Sequence, residues 1–316
     1  MKKVTKVSPM TKGSVVGKLL TPALTLVAAA VAVLPAYRAA GDEFDLSTIG
    51  VNVSRTVTGA VGGDAIFKDK WDQPTGTGVF DPFLTLDSNG KTSTGNTSIE
   101  SAYNTDGTVA IYLDQQKPNA FNKTLKYGSL ARVNEGGIDY VAFDLDANEP
   151  GGSKSLISID NIRVYTSSDN KTTAGIGLSN LDDLGKLRWA MNNPTTGSAS
   201  DLNGFNVSQW VKLDSNQNNN DSSKANGGSG QMDMVVLIPV SAFADTADGD
   251  YVWFYNLNGV HYSADGDLAA QAGFEEWRAL AGPNAVPDGG NTLALLGSAL
   301  TGLGFVAGRR KMASNA

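Results

Sequence analysis

Cysteine is absent from this 316-residue chain, and histidine occurs once, at His261. Without thiols there is no disulfide framework, no Cys-ligated zinc, no iron–sulfur cluster and no cysteine nucleophile. One histidine rules out a multi-His metal centre and leaves a single candidate base for a Ser-His-Asp triad. No G-x-S-x-G nucleophile elbow accompanies it, so the bland reading, a strand-edge or loop histidine, is preferred. Basic charge is also scarce where it would matter for nucleic acid. The sequence pI is near 4.8, which excludes the basic footprint that nucleic-acid binding needs.

Acidic residues are missing from both ends. Residues 1–40 carry six basic residues and no acid, and residues 309–316 carry three basic residues and no acid. The part between them therefore holds 16 basic against 32 acidic residues, a net charge of −16 rather than the −7 of the whole chain, and 26 of those acids are Asp. Such a region is soluble and poorly suited to an anionic polymer unless cations bridge the two.

Lys2, Lys3, Lys6, Lys12 and Lys18 precede an apolar run over residues 19–34. A basic segment followed by an apolar one reads as a secretory signal peptide, with cleavage expected between Ala36 and Gly41; the competing reading is an uncleaved membrane anchor. At the other end Val286-Pro287-Asp288-Gly289-Gly290 is followed by an apolar run over 292–308 and then by Arg309, Arg310 and Lys311. Seventeen helical residues span about 25 Å, near the lower limit for a hydrocarbon core of about 30 Å. The basic cluster directly behind would stop transfer and stay on the cytoplasmic side. A buried core helix would account for the apolar run but not for that cluster.

This tripartite tail, on a chain with a signal peptide, resembles the PEP-CTERM class of sorting signals, in its VPDSG variant with Gly289 in place of Ser. The resemblance implies recognition by an exosortase-type membrane cysteine protease that cleaves at the motif, in a Gram-negative exopolysaccharide producer. The expected destination, after transient anchoring in the inner membrane, is the cell surface or the polysaccharide matrix. Interior segments resemble domains that accompany this signal: Gly76-Thr-Gly-Val-Phe-Asp-Pro-Phe83, Tyr140-Val-Ala-Phe-Asp-Leu-Asp146 with residues 156–165, Gly249-Asp-Tyr-Val-Trp-Phe-Tyr255 and Gly273-Phe-Glu-Glu-Trp277. They imply a β-sandwich surface protein with no assigned chemistry.

The organisation expected is a signal segment over 1–40, one domain over 41–285 and a sorting signal over 286–316. Within the domain, β-branched and alternating runs at 49–58, 107–113, 138–145, 156–165, 187–191, 207–213, 232–238 and 251–257 are separated by Gly, Asp, Asn and Ser clusters. That pattern predicts an all-β fold, a single antiparallel β-sandwich of jelly-roll-like form. Residues 178–184 could make one or two helical turns, and 268–280 reads equally as a short helix or a strand. The polar stretch 214–230 is expected to be a solvated loop.

The strongest polar cluster is Asp144, Asp146, Asn148 and Glu149, whose oxygens could take calcium. On the strand Val141, Phe143 and Leu145 share one face, and Ala142, Asp144 and Asp146 the other; the bland reading is a solvated face ending in a turn. Asp245, Asp248 and Asp250 read first as a turn and second as a calcium loop. Glu275 and Glu276, being adjacent, face opposite sides and cannot form a glycosidase pair with each other; Phe274 and Trp277 beside them read as buried neighbours. Trp189, Trp210, Trp253 and Trp277 are expected in the core, and Trp71 is the best candidate for an exposed sugar platform. Sequons at Asn52, Asn96, Asn122, Asn170, Asn206 and Asn220 need no special explanation in so Asn-rich a chain. The function expected is that of an exported, non-catalytic surface or matrix protein, with exosortase and exopolysaccharide as partners. The alternatives are a polysaccharide-active hydrolase or lyase and a calcium-dependent carbohydrate-binding module.

Overall fold

The structure is a computed structural model. It describes residues 41–48, 51–69, 80–87, 98–107, 114, 121–151, 154–172, 175–193, 207–216, 232–263, 266–270 and 273–280. The signal segment, most of the run at 107–113, Trp71, the polar stretch beyond Asn216 and the whole sorting signal lie outside the described residues. Among the described residues no helix is long and apolar enough to cross a membrane.

The described elements are strands β1 (Asp42–Asp45), β2 (Ser54–Thr58), β3 (Asp64–Asp69), β4 (Leu84–Leu86), β5 (Glu100–Tyr103), β6 (Leu125–Lys126), β7 (Arg132–Glu135), β8 (Ile138–Asp146), β9 (Leu156–Ser167), β10 (Lys186–Ala190), β11 (Gln209–Asp214), β12 (Met234–Pro239), β13 (Tyr251–Asn258) and β14 (Glu275–Ala279). Among the described residues helix is confined to short 3-10 turns such as Leu178–Leu184. The fold is all-β, in two sheets. One runs β1-β11-β9-β13-β5, with β10 also on β9 and β6 on β13. The other runs β2-β3-β12-β8-β14-β4, with β7 also on β8. One pairing departs from the antiparallel expectation: β1 lies parallel to β11, tied by Asp42 N–H to Ser208 O at 2.7 Å and Leu46 N–H to Lys212 O at 2.9 Å. The ambiguous segment resolves as a strand, β14, which pairs with both β4 and β8.

Alternation places one face of each sheet in a shared core. Val141, Phe143 and Leu145 of β8 and Val236 of β12 meet Ile159, Val164, Val211 and Phe254 of the other sheet in a single apolar cluster. Phe254 is its hub, with ring centroids 4.9 Å from Phe143, 5.5 Å from Phe83 and 4.7 Å from Trp277. The outer faces are covered too. Tyr103, Tyr165, Trp253 and Tyr255 pack with Ile176, Leu181 and Leu184; Tyr140, Ala142, Val235 and Leu237 pack with Phe80 and Met232. This explains why β8, β9, β12 and β13 are buried nearly throughout. Aromatic and aliphatic positions on both sides of a strand need two covers.

The apolar residues of β9 slip phase: Ile157 and Ile159 face the core, and so do Ile162 and Val164. The register against β13 slips at the same place, with Leu257 opposite Asn161 and Asn258 opposite Ile159. This bulge takes up the extra residue.

Candidate functional site

Glu100 is the first residue of β5 and Asn258 the last of β13, and the two are register partners. Asn258 Nδ2 donates to Glu100 Oε1 at 2.7 Å. Glu275 opens β14 in the other sheet, opposite Leu86. The carboxyl groups of Glu100 and Glu275 lie within hydrogen-bonding reach of each other, so this contact joins the two sheets. Glu100 is 1% exposed and Glu275 2%. Asp87 and Asp114 act through space on Glu100, and Glu149 and Asp87 on Glu275. Asp114 is fixed there by Ser101 N–H, which donates to its Oδ2 at 2.8 Å, and by its own O, which accepts from Asp87 N–H at 3.0 Å.

Burial pushes Glu100 up to about 7, against the hydrogen bonds from Glu275 and Asn258 and with Asp114 and Asp87 adding to the rise. Burial likewise drives Glu275 well above the usual carboxylate range, with Glu100 and Glu149 adding to it. Among the described residues neither Glu100 nor Glu275 has an ion pair. Glu275 Oε1 and Asn258 Oδ1 are buried without a hydrogen-bond partner. A buried carboxylate needs a base, a proton or a metal. Without a base, this pair can share a proton or hold a hard cation. It is closer than the about 5–5.5 Å of a retaining glycosidase pair, and too enclosed for a sugar.

Two glycines with positive φ deliver these residues. Gly259, directly after Asn258, has φ +80°, and a Cβ on it would lie 2.0 Å from Ser98 O. Gly273, two residues before Glu275, has φ +97°, and a Cβ on it would lie 1.9 Å from Asn148 O. Only glycine fits such close backbone approaches.

The residues singled out from the sequence are divided among different roles. Asp144 is the register partner of Arg278 and accepts from its Nε at 3.1 Å and from its Nη2. Burial pushes the Asp144 carboxyl up despite that guanidinium. Asp146 is fully buried opposite Glu276. Asn148 Nδ2 donates to Phe274 O at 2.8 Å, and Glu149 is buried and acts through space on Glu275. Among the described residues no three His, Asp or Glu side chains are grouped so as to hold a metal ion. The expectation of a solvated face at Asp144 and Asp146 is corrected: both are 0% exposed, because β12 and β14 flank β8 and its outer face is covered. Phe274 is likewise exposed rather than buried. Asp250 turns its carboxylate onto Ala247 N–H at 3.0 Å within its own loop. Asn122 is buried, accepting from Thr85 N–H at 3.0 Å.

His261 has a partner that no local pattern announced. Its Nδ1 meets Asp160 Oδ1, and its ring stacks on Trp210 at 4.4 Å and 12°. Ser158 Oγ donates to the other oxygen of Asp160 at 2.9 Å. A nucleophile would need its hydroxyl on the imidazole; this one is on the carboxylate. Trp189, Trp210, Trp253 and Trp277 are all buried, as expected. Glu275 and Glu276 do face opposite sides, one buried and one half-buried. What sequence reasoning missed is the partner of Glu275. Glu100, Asn258, Asp87 and Asp114 carry no motif in an Asp- and Asn-rich chain, and only strand pairing brings them to it.

A cavity of about 430 Å³ is lined by residues 61–63 and 186–188 with Ser241, Ala242 and Ala244, and has neither an aromatic ring nor a carboxylate in its wall. No family model, no curated protein and no solved structure matches the chain.

Proposed function

We propose that this chain is an exported, non-catalytic surface or matrix protein, a jelly-roll-like β-sandwich delivered by an exosortase-type system. The observation that carries the reading is the arrangement of basic and apolar residues at the two ends of the chain. Five lysines precede the apolar run over 19–34, and Arg309, Arg310 and Lys311 directly follow the apolar run over 292–308. A domain with a net charge of −16 between two basic ends fits translocation of the middle with retention of the tail. Among the described residues the Glu100–Glu275 pair is buried and not set in an open cleft, which favours a structural module over a polysaccharide hydrolase.

The test is mass spectrometry of the protein released from cells. The expected mature form begins between Ala36 and Gly41 and ends near Pro287. Inactivating the exosortase-type protease should leave the chain membrane-held and intact. A secreted form that continues through Ala316 overturns the reading.

A further inference from the structure

We propose that Glu100, Glu275 and the side-chain oxygen of Asn258 are the protein ligands of a calcium ion that ties the two sheets together at one end. The residues come from both sheets: β5 and β13 supply Glu100 and Asn258, and β14 supplies Glu275. Two carboxyl groups within reach of each other, both almost wholly buried and neither in an ion pair among the described residues, need a shared proton or a cation between them. Two buried oxygens have no hydrogen-bond partner: Glu275 Oε1, in the residue within reach of Glu100, and Asn258 Oδ1, on the far side of the amide whose Nδ2 donates to Glu100. Rotation of that amide exchanges Nδ2 for Oδ1 and presents a third oxygen to the same point.

The donors are all oxygen, two carboxylates and one amide, which selects a hard cation and excludes zinc or copper chemistry. Calcium tolerates irregular geometry and takes six to eight oxygens, whereas magnesium demands a near-ideal octahedron. Side chains delivered from three strands in two sheets suit the first cation better. The inference stands on these residues alone and does not depend on where the protein is delivered.

The test uses the full chain in detergent, stripped with chelator and titrated with calcium chloride by calorimetry and thermal unfolding. One calcium per chain is expected at this site, with a rise in Tm of roughly 5–10 °C at a hundredfold excess over Kd. Magnesium at the same concentration should give a smaller shift. Glu100→Gln with Glu275→Gln should lose the calcium response and show a higher Tm than the stripped wild type, because the repulsion is gone. Glu275→Asp keeps the charge with a shorter reach and should weaken calcium affinity at least tenfold, which covers the case in which the double variant does not fold. Asp245→Asn, in the exposed loop after β12, should keep the response. Absence of any calcium-dependent shift in the wild type means that a shared proton holds the pair, and overturns the proposal. So does a full response in the Glu275→Asp or double variant.

Discussion

Single buried polar groups in this fold are costly wherever their partner is removed. Arg278 is the guanidinium held against Asp144, and its Cζ sits 4.7 Å from the Phe80 ring. Arg278→Met should destabilise the domain by about 3–5 kcal/mol in urea unfolding, because Asp144 is then a buried charge without its partner. Pairing it with Asp144→Leu should recover most of that loss, since a buried ion pair is often worth no more than an apolar pair of similar volume. Tyr103 and Tyr165 respond to pH. Burial pushes both phenols up to about 12 from the ordinary 10.0. The folded chain holds these protons to higher pH than the unfolded chain, so stability is intact below about pH 10 and falls as pH climbs from there towards 12. The two together amount to as much as about 5 kcal/mol at the top of that range. An alkaline titration should show late tyrosinate absorbance arriving together with loss of near-UV circular dichroism. Tyr103→Phe with Tyr165→Phe should shift that unfolding to higher pH.

Strand ends, more than strand middles, decide what this fold can do. Gly259 ends β13 against the Ser98 carbonyl, and Gly63 turns in open space with a similar φ of +82°. Gly259→Ala should therefore cost roughly 2–4 kcal/mol, and Gly63→Ala about 1 kcal/mol, by the same unfolding measurement. Equal costs would mean that backbone angle alone, and not the close approach, sets the penalty. Most strands were legible because their chemistry is local. The runs at 138–145, 156–165, 232–238 and 251–257 became β8, β9, β12 and β13 within two residues at their ends. The run at 49–58 shrank to Ser54–Thr58. β1 was missed, since Asp42-Glu43-Phe44-Asp45 has no apolar alternation and becomes a strand only by pairing with β11. The turn at Leu178–Leu184 was anticipated, but not that it covers Tyr165 and Trp253.

Across the whole molecule, the distribution of charge along the chain and the distribution of charge in space tell different things. Sixteen excess acids between two basic ends can be counted from the letters, and they frame the delivery reading. Where those acids meet cannot be counted. Glu100 and Glu275 are 175 positions apart, and they touch because β5 ends one sheet on β13 while β14 lies between β8 and β4 in the other. Asp144 and Asp146, two positions apart on β8, are instead set opposite Arg278 and Glu276 of β14.

The sequence by itself determined the β character, the acidic middle and the basic, apolar ends, because each depends on composition and on periodicities of two residues. The tertiary structure alone decided which carboxylates are buried, which of them face one another, and that His261 meets Asp160. Those outcomes depend on sheet order and register, and a shift of one residue would send each of these side chains to the opposite face.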